Sequence, residues 1–166
     1  MNANTNHVIV VGVDGSEGGR RALLWAVEEA RLRDSAVQAV LAWSWDGMEF
    51  SPISAMSAEE ERRHAAELLD QQIAAVRERL DAPPPVAAEL VEGRPADALA
   101  AAAHPADLLV LGSHGHSRIR HTVLGSVSAD CVRKATCPVV VIPVPADHDV
   151  PISALPVDRP RPRPTS

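Results

Sequence analysis

The chain has 166 residues, 46% of them hydrophobic, and a net charge of −6. That is enough for one domain with a packed core, and it excludes general binding of nucleic-acid phosphates through a basic surface. Three Trp, one Phe and no Tyr leave an aliphatic core, and the two cysteines, Cys131 and Cys137, make no disulfide framework.

The elements alternate. His7 to Asp14 is a β-branched run ending in small and acidic residues, as suits a strand buried on both faces of a parallel sheet. Ser16 is placed to cap the following helix, which carries Gly18 and Gly19 early and repeats Ala22, Leu23, Ala26, Val27 and Ala30 at helical spacing to about Arg33. Ala36 to Trp43 is a second strand, and Ser44 to Ser57 a loop. Ser57 and the acids after it open a long helix to about Leu80, with Ala65, Leu68, Leu69, Ile73 and Val76 on one face. Pro83-Pro84-Pro85 stops it. Val86 to Val91 is a third strand, Gly93-Arg94-Pro95 a turn, and Ala96 to Ala103 a short alanine-rich helix. Asp107 to Gly112 is a fourth strand, Ser126 to about Ala135 a helix, and Pro138 to Pro143 a fifth strand. This alternation predicts a parallel sheet with helices on both faces.

Residues 1–143 are therefore expected to form one domain. Residues 144–166 are rich in proline and contain Arg-Pro-Arg-Pro-Arg-Pro, so they read as an extended, largely disordered tail. No run is long and apolar enough to cross a membrane, and Met1 to His7 lacks a leader pattern. The expectation is a cytoplasmic protein without membrane or nucleic-acid partners. Both cysteines read as reduced thiols, with a redox switch as the lesser alternative.

The strongest chemical signal is the loop Gly112-Ser113-His114-Gly115, followed by Gly125-Ser126. It joins the buried run Leu108 to Leu111 to a helix. Glycines allow a tight turn and close approach to a ligand, and free N–H groups at a helix start attract anions. In an open parallel sheet ligands sit at the carboxyl ends of the strands. The first and fourth strands carry most of the chemistry there, so Asp14 is expected to face Gly112 to Gly115 across one crevice. Asp14 reads equally as a ligand for a ribose hydroxyl or amine and as a turn aspartate. Gly12, inside a strand, points to a close approach.

The loop lacks the Gly-Lys-Ser/Thr of a P-loop and is not the dinucleotide pattern Gly-x-Gly-x-x-Gly. Lys134 is the only lysine in the chain. His114, His116 and His121 lack carboxylates or thiolates at metal-ligand spacing, so they read as solvated loop histidines within reach of a phosphate rather than as metal ligands.

The pattern Gly-x2-Gly-x9-Gly-Ser/Thr, carried by Gly112, Gly115, Gly125 and Ser126, resembles the ATP-binding branch of the universal stress protein family. VVGVDGSEGGRRALLWA at 10–26, DLLVLGSHGHS at 107–117 and LGSVSADCVRKATCPVVVIP at 124–143 extend the resemblance over about residues 7–143. It implies an α/β, Rossmann-like doubly wound sheet of five parallel strands in order 3-2-1-4-5. It also implies a homodimer joined through the last strand, Val139, Val140, Val141 and Ile142, an apolar edge that invites pairing.

Carried over by position, Gly12, Val13 and Asp14 would hold the adenine end, and Ala42 and Trp43 would border the base. Gly112, Ser113, His114, Gly115, His116, Ser117 and Arg118 would wrap ribose and phosphates. Gly125, Ser126 and Val127 would give N–H groups and a hydroxyl to the phosphates. The implied ligand is ATP with Mg²⁺ and the implied role a stress-response regulator or nucleotide sensor. Two alternatives stand beside it: a slow ATPase or adenylyl-transferring enzyme, and an interaction module binding AMP or cyclic AMP. No catalytic residue is assigned, because no lysine at the loop and no clear general base accompany the pattern.

Overall fold

A computed structural model describes residues 7–45, 57–116 and 124–144. Its elements are β1 (Val8–Gly12), α1 (Glu17–Arg33), β2 (Ala36–Trp43), α2 (Ala58–Arg77), β3 (Val86–Glu92), α3 (Pro95–Ala103), β4 (Leu108–Gly112), α4 (Ser126–Lys134) and β5 (Val139–Ile142). The strands form one parallel sheet in the order β3-β2-β1-β4-β5. This is the Rossmann-like α/β fold that the resemblance implies.

β1 is central, with Val11 in register with Ala39 of β2 and Val110 of β4. Ile9, Val10 and Val11 are buried, as are Leu108 to Leu111 of β4. Both strands lie between two helical layers, so they lack the polar alternation of a half-exposed strand. The strand order reverses between β1 and β4, which opens a crevice beyond their carboxyl ends.

The two faces differ. α1 and α2 cover one, where Leu23, Val27, Leu69 and Ile73 pack with Ile9, Val11 and Val110. α3 and α4 cover the other, with a smaller cluster around Val10, Val40, Leu99, Leu109 and Cys131.

α2 ends at Arg77, three residues before the sequence reading placed its end. The N–H groups of Arg79 and Leu80 donate to the carbonyls of Val76 and Arg77, a tightened last turn. Leu80 packs against the larger core from there. Leu68 is half-buried rather than central, and its side chain lies over Gly15.

Candidate functional site

The site is built from two turns that meet at the carboxyl edge of the sheet. In the first, Ser16 caps α1: its hydroxyl accepts from the Gly19 N–H at 3.1 Å. The same residue holds Asp14, since the Ser16 N–H donates to Asp14 Oδ1 at 3.0 Å and its O–H donates to the same oxygen. The carboxylate is thus oriented while Asp14 itself remains exposed.

The second turn is the glycine loop after β4. The Ser113 N–H donates to the Ile142 carbonyl at 2.8 Å, and the Gly125 N–H donates to the Ser113 carbonyl at 2.7 Å. Ser128 Oγ donates to the Gly112 carbonyl at 2.7 Å, and Ser113 Oγ accepts from the Val144 N–H at 3.1 Å. These bonds pin the loop's first end to the end of β5 and to the start of α4, and its second end to Ser113.

Glycines let the two turns touch. A Cβ on Gly112 would lie 2.5 Å from the Gly18 carbonyl carbon, and one on Gly18 would strike the His114 carbonyl oxygen. The first turn of α1 therefore crosses the end of β4 backbone against backbone. A Cβ on Gly115 would lie 2.5 Å from Asp14 Oδ2, and one on Gly19 would lie 2.6 Å from Oδ1. The Asp14 carboxylate fills the space those side chains would take.

Beyond these turns lies a cavity of about 550 Å³. Gly12 and Ala42 line it from the strands, Val13 and Asp14 from the turn after β1, Gly112, His114, Gly115 and His116 from the end of β4 and its loop, and Gly125, Ser126 and Val127 from the start of α4. The structure brings these expected residues to one place. Ser113 does not reach the cavity; it is buried behind the loop, where its bonds hold the backbone. Trp43 does not line it either. Its side chain packs against the α1–α2 core on the opposite face of the sheet. Ser117, Arg118, His121, residues 46–56 of the loop after Trp45 and the tail beyond Val144 lie outside the described residues.

Sequence reasoning missed the apolar wall. Val40 of β2, Pro95 and Leu99 of α3, Leu111 of β4 and Leu124 form it. Val40 and Ala42 are two apart on one strand and so share a face. Leu99 is the one large apolar side chain of an otherwise alanine-rich helix, which was the available signal. Gly12 fits this wall, because a Cβ there would sit 3.0 Å from a Leu111 methyl and 3.1 Å from a Leu99 methyl.

The electrostatics come mostly from backbone. The N-cap of α4 is Gly125, which offers no side-chain hydrogen bond, and no acid lies in the first turn. Its leading N–H groups therefore face the cavity uncapped, with the positive end of the helix dipole. α3 likewise starts without a side-chain cap, with Pro95 in its first turn. Among the described lining residues Asp14 is the only acid, and there is no lysine or arginine. Among the described residues no three His, Cys, Asp or Glu side chains group to hold a metal.

α3 and α4, the two walls, are tied together by an ion pair between Lys134 and Asp97. The ammonium hydrogen bond holds the Asp97 carboxyl below its usual range. Burial pushes the Cys131 thiol, one turn beyond Val127, up to about 11, so it is an inert core group.

A parallel α/β sheet with a cavity at its topological switch point, closed by a glycine loop and an uncapped helix start, is the arrangement of a Rossmann-like ligand-binding domain. The family model that matches, over residues 5–143, is that of the universal stress protein family. The chain belongs to that family. Universal stress protein Rv2005c of Mycobacterium tuberculosis is 33% identical over 146 residues, covering 82% of this chain and 48% of its own length. The chain thus spans about half the length of that relative. Among solved structures, a universal stress protein in complex with cAMP is 26% identical with a TM-score of 0.63, covering 82% of this chain and 96% of its own. A universal stress protein from Archaeoglobus fulgidus in complex with dAMP is 28% identical with a TM-score of 0.60, covering 81% and 96%.

Proposed function

We propose that the cavity binds an adenine nucleotide, ATP with Mg²⁺, and that the protein serves as a nucleotide-dependent stress regulator or sensor. The observation that carries this reading is the bare start of α4 facing the cavity beside Gly112 and Gly115. Several free N–H groups and a helix dipole form a phosphate cradle without any lysine. The apolar wall of Val40, Ala42, Pro95 and Leu99 suits the face of a base, and Asp14 offers acceptors to ribose hydroxyls or an exocyclic amine. A cavity of about 550 Å³ is in the size range of small-ligand sites. Mg²⁺ would be held by the phosphate oxygens.

The reading is of binding rather than turnover. Among the described lining residues no cation stands ready for the charge that develops in phosphoryl transfer, and no carboxylate besides Asp14 is placed as a base. The complexes of related proteins with cAMP and dAMP favour a second reading, in which the ligand carries one phosphate. Dimerisation through β5 belongs to the same proposal. β5 is an edge strand and its four residues are only half-buried in the single chain.

The test is calorimetric titration of the purified protein with ATP and Mg²⁺, AMP and cAMP in parallel, with measurement of released phosphate. Saturable binding of ATP without multiple turnovers supports the first reading. Tighter binding of AMP or cAMP selects the second, and binding of none overturns both.

A further inference from the structure

We propose that His116 is a positioning residue that latches the glycine loop to the end of β1, and that its imidazole holds protein rather than phosphate. The inference rests on the nucleotide reading for its effect on affinity, though its geometry does not.

The loop is anchored at its two roots by Ser113, Gly125 and Ser128. His114, Gly115 and His116 extend beyond those anchors. Among the described residues His114 Nδ1 lies 3.1 Å from Ser113 Oγ within the loop, and the β1–α1 turn holds Gly115 and His116. Gly115 lies against the Asp14 carboxylate, and His116 Nε2 lies 2.6 Å from the Asp14 carbonyl oxygen. A carbonyl only accepts, so the ring donates from Nε2. Asp14 is itself fixed by both bonds from Ser16, which is buried at the start of α1. One residue thus serves two sides: its carboxylate faces the cavity, and its carbonyl receives the loop.

The latch joins segments far apart in the chain and crosses the rim of the cavity. While it is made, Gly115 stays opposite the start of α4, and the backbone groups that would meet a ligand keep their spacing. When it is lost, the loop keeps its roots but not its outer position, so a ligand would leave faster. An exposed hydrogen bond of this kind is worth a modest factor, about two- to tenfold in affinity, carried mainly by the dissociation rate.

The ring geometry gives a selective test. A glutamine places its amide nitrogen near the position of Nε2, whereas an asparagine reaches only the position of Nδ1. In the full-length chain, His116→Ala and His116→Asn should bind ATP about two- to tenfold more weakly with faster dissociation. His116→Gln should restore the parent affinity. In the ligand-free parent, nitrogen-resolved NMR should show the His116 proton on Nε2, protected from exchange. Gly115 amide exchange should accelerate in His116→Ala and recover in His116→Gln. Unchanged affinity and exchange in His116→Ala would overturn the latch. So would an Nδ1–H ring, or failure of glutamine to rescue, which marks direct ligand contact. If the parent binds neither ATP nor AMP, the nucleotide reading fails, and the ring proton and Gly115 exchange still decide the latch.

Discussion

The helices on the two faces of the sheet begin differently. α1 and α2 start under serines: Ser16 accepts from the Gly19 N–H, and Ser57 forms a reciprocal capping box with Glu60. α3 and α4 start at Arg94 and Gly125, with no side-chain cap. The capped pair covers the larger core, and the uncapped pair walls the cavity. A serine or aspartate at an N-cap satisfies the free N–H groups that would otherwise meet a ligand. On one face side chains close the helix starts; on the other the starts of α3 and α4 have no side-chain cap.

This contrast can be broken most heavily in the closed face. Leu23→Ala removes a fully buried side chain from the larger core and should cost about 2–5 kcal/mol in denaturant unfolding. The folded fraction should keep its nucleotide affinity. A matching loss of affinity in the folded protein would show that the faces are not separate.

On the open face, Gly125→Asp supplies the cap that α4 lacks. A Cβ there lies 3.2 Å from the Ser113 carbonyl oxygen, so the loop must give slightly. The melting temperature should hold or rise, because an acid favours a helix start. ATP affinity should fall about tenfold or more, since a fixed negative charge now meets the phosphates. Weaker stability with unchanged affinity would contradict the contrast.

Ser57→Ala sharpens it at smaller scale, with about 1 kcal/mol lost from thermal or denaturant stability and no effect on binding. The smallest effect concerns pH. The Ser57 backbone N–H and hydroxyl hold the Glu60 carboxyl below its ordinary value of 4.5. A depressed carboxylate contributes stability above the ordinary value and loses it as pH falls through the lower folded value. The stability difference between the parent and Glu60→Gln should therefore be constant near neutrality and shrink as pH drops below 4.5. A difference that grows with acid would reverse the assignment.

Much of the fold was legible because its signals are local. The aliphatic runs of β1 and β4, the Ser16 and Ser57 caps and the triple proline before β3 each act within a few residues. The order of the strands came through the family resemblance, since periodicity does not rank strands across a sheet. The site was legible where glycines mark it. It was not legible where facing decides: Val37, Ala39, Leu41 and Trp43 alternate onto the α1–α2 core, leaving Val40 and Ala42 for the cavity. Which parity faces which layer depends on where α2 and α3 pack. The Gly18–Gly112 crossing was invisible for the same reason, as each glycine reads locally as a turn or an early helix residue. The tightened end of α2 reflects a tertiary gain, with Leu80 reaching the core.

The most direct measurement is a parallel calorimetric titration with ATP and Mg²⁺ and with adenosine. Both share the base and ribose, and only ATP can use the open start of α4. Saturable binding of ATP at least about tenfold tighter than adenosine is the predicted result. Equal affinity for the two, or heat from neither, would contradict a phosphate cradle at Gly125 to Val127.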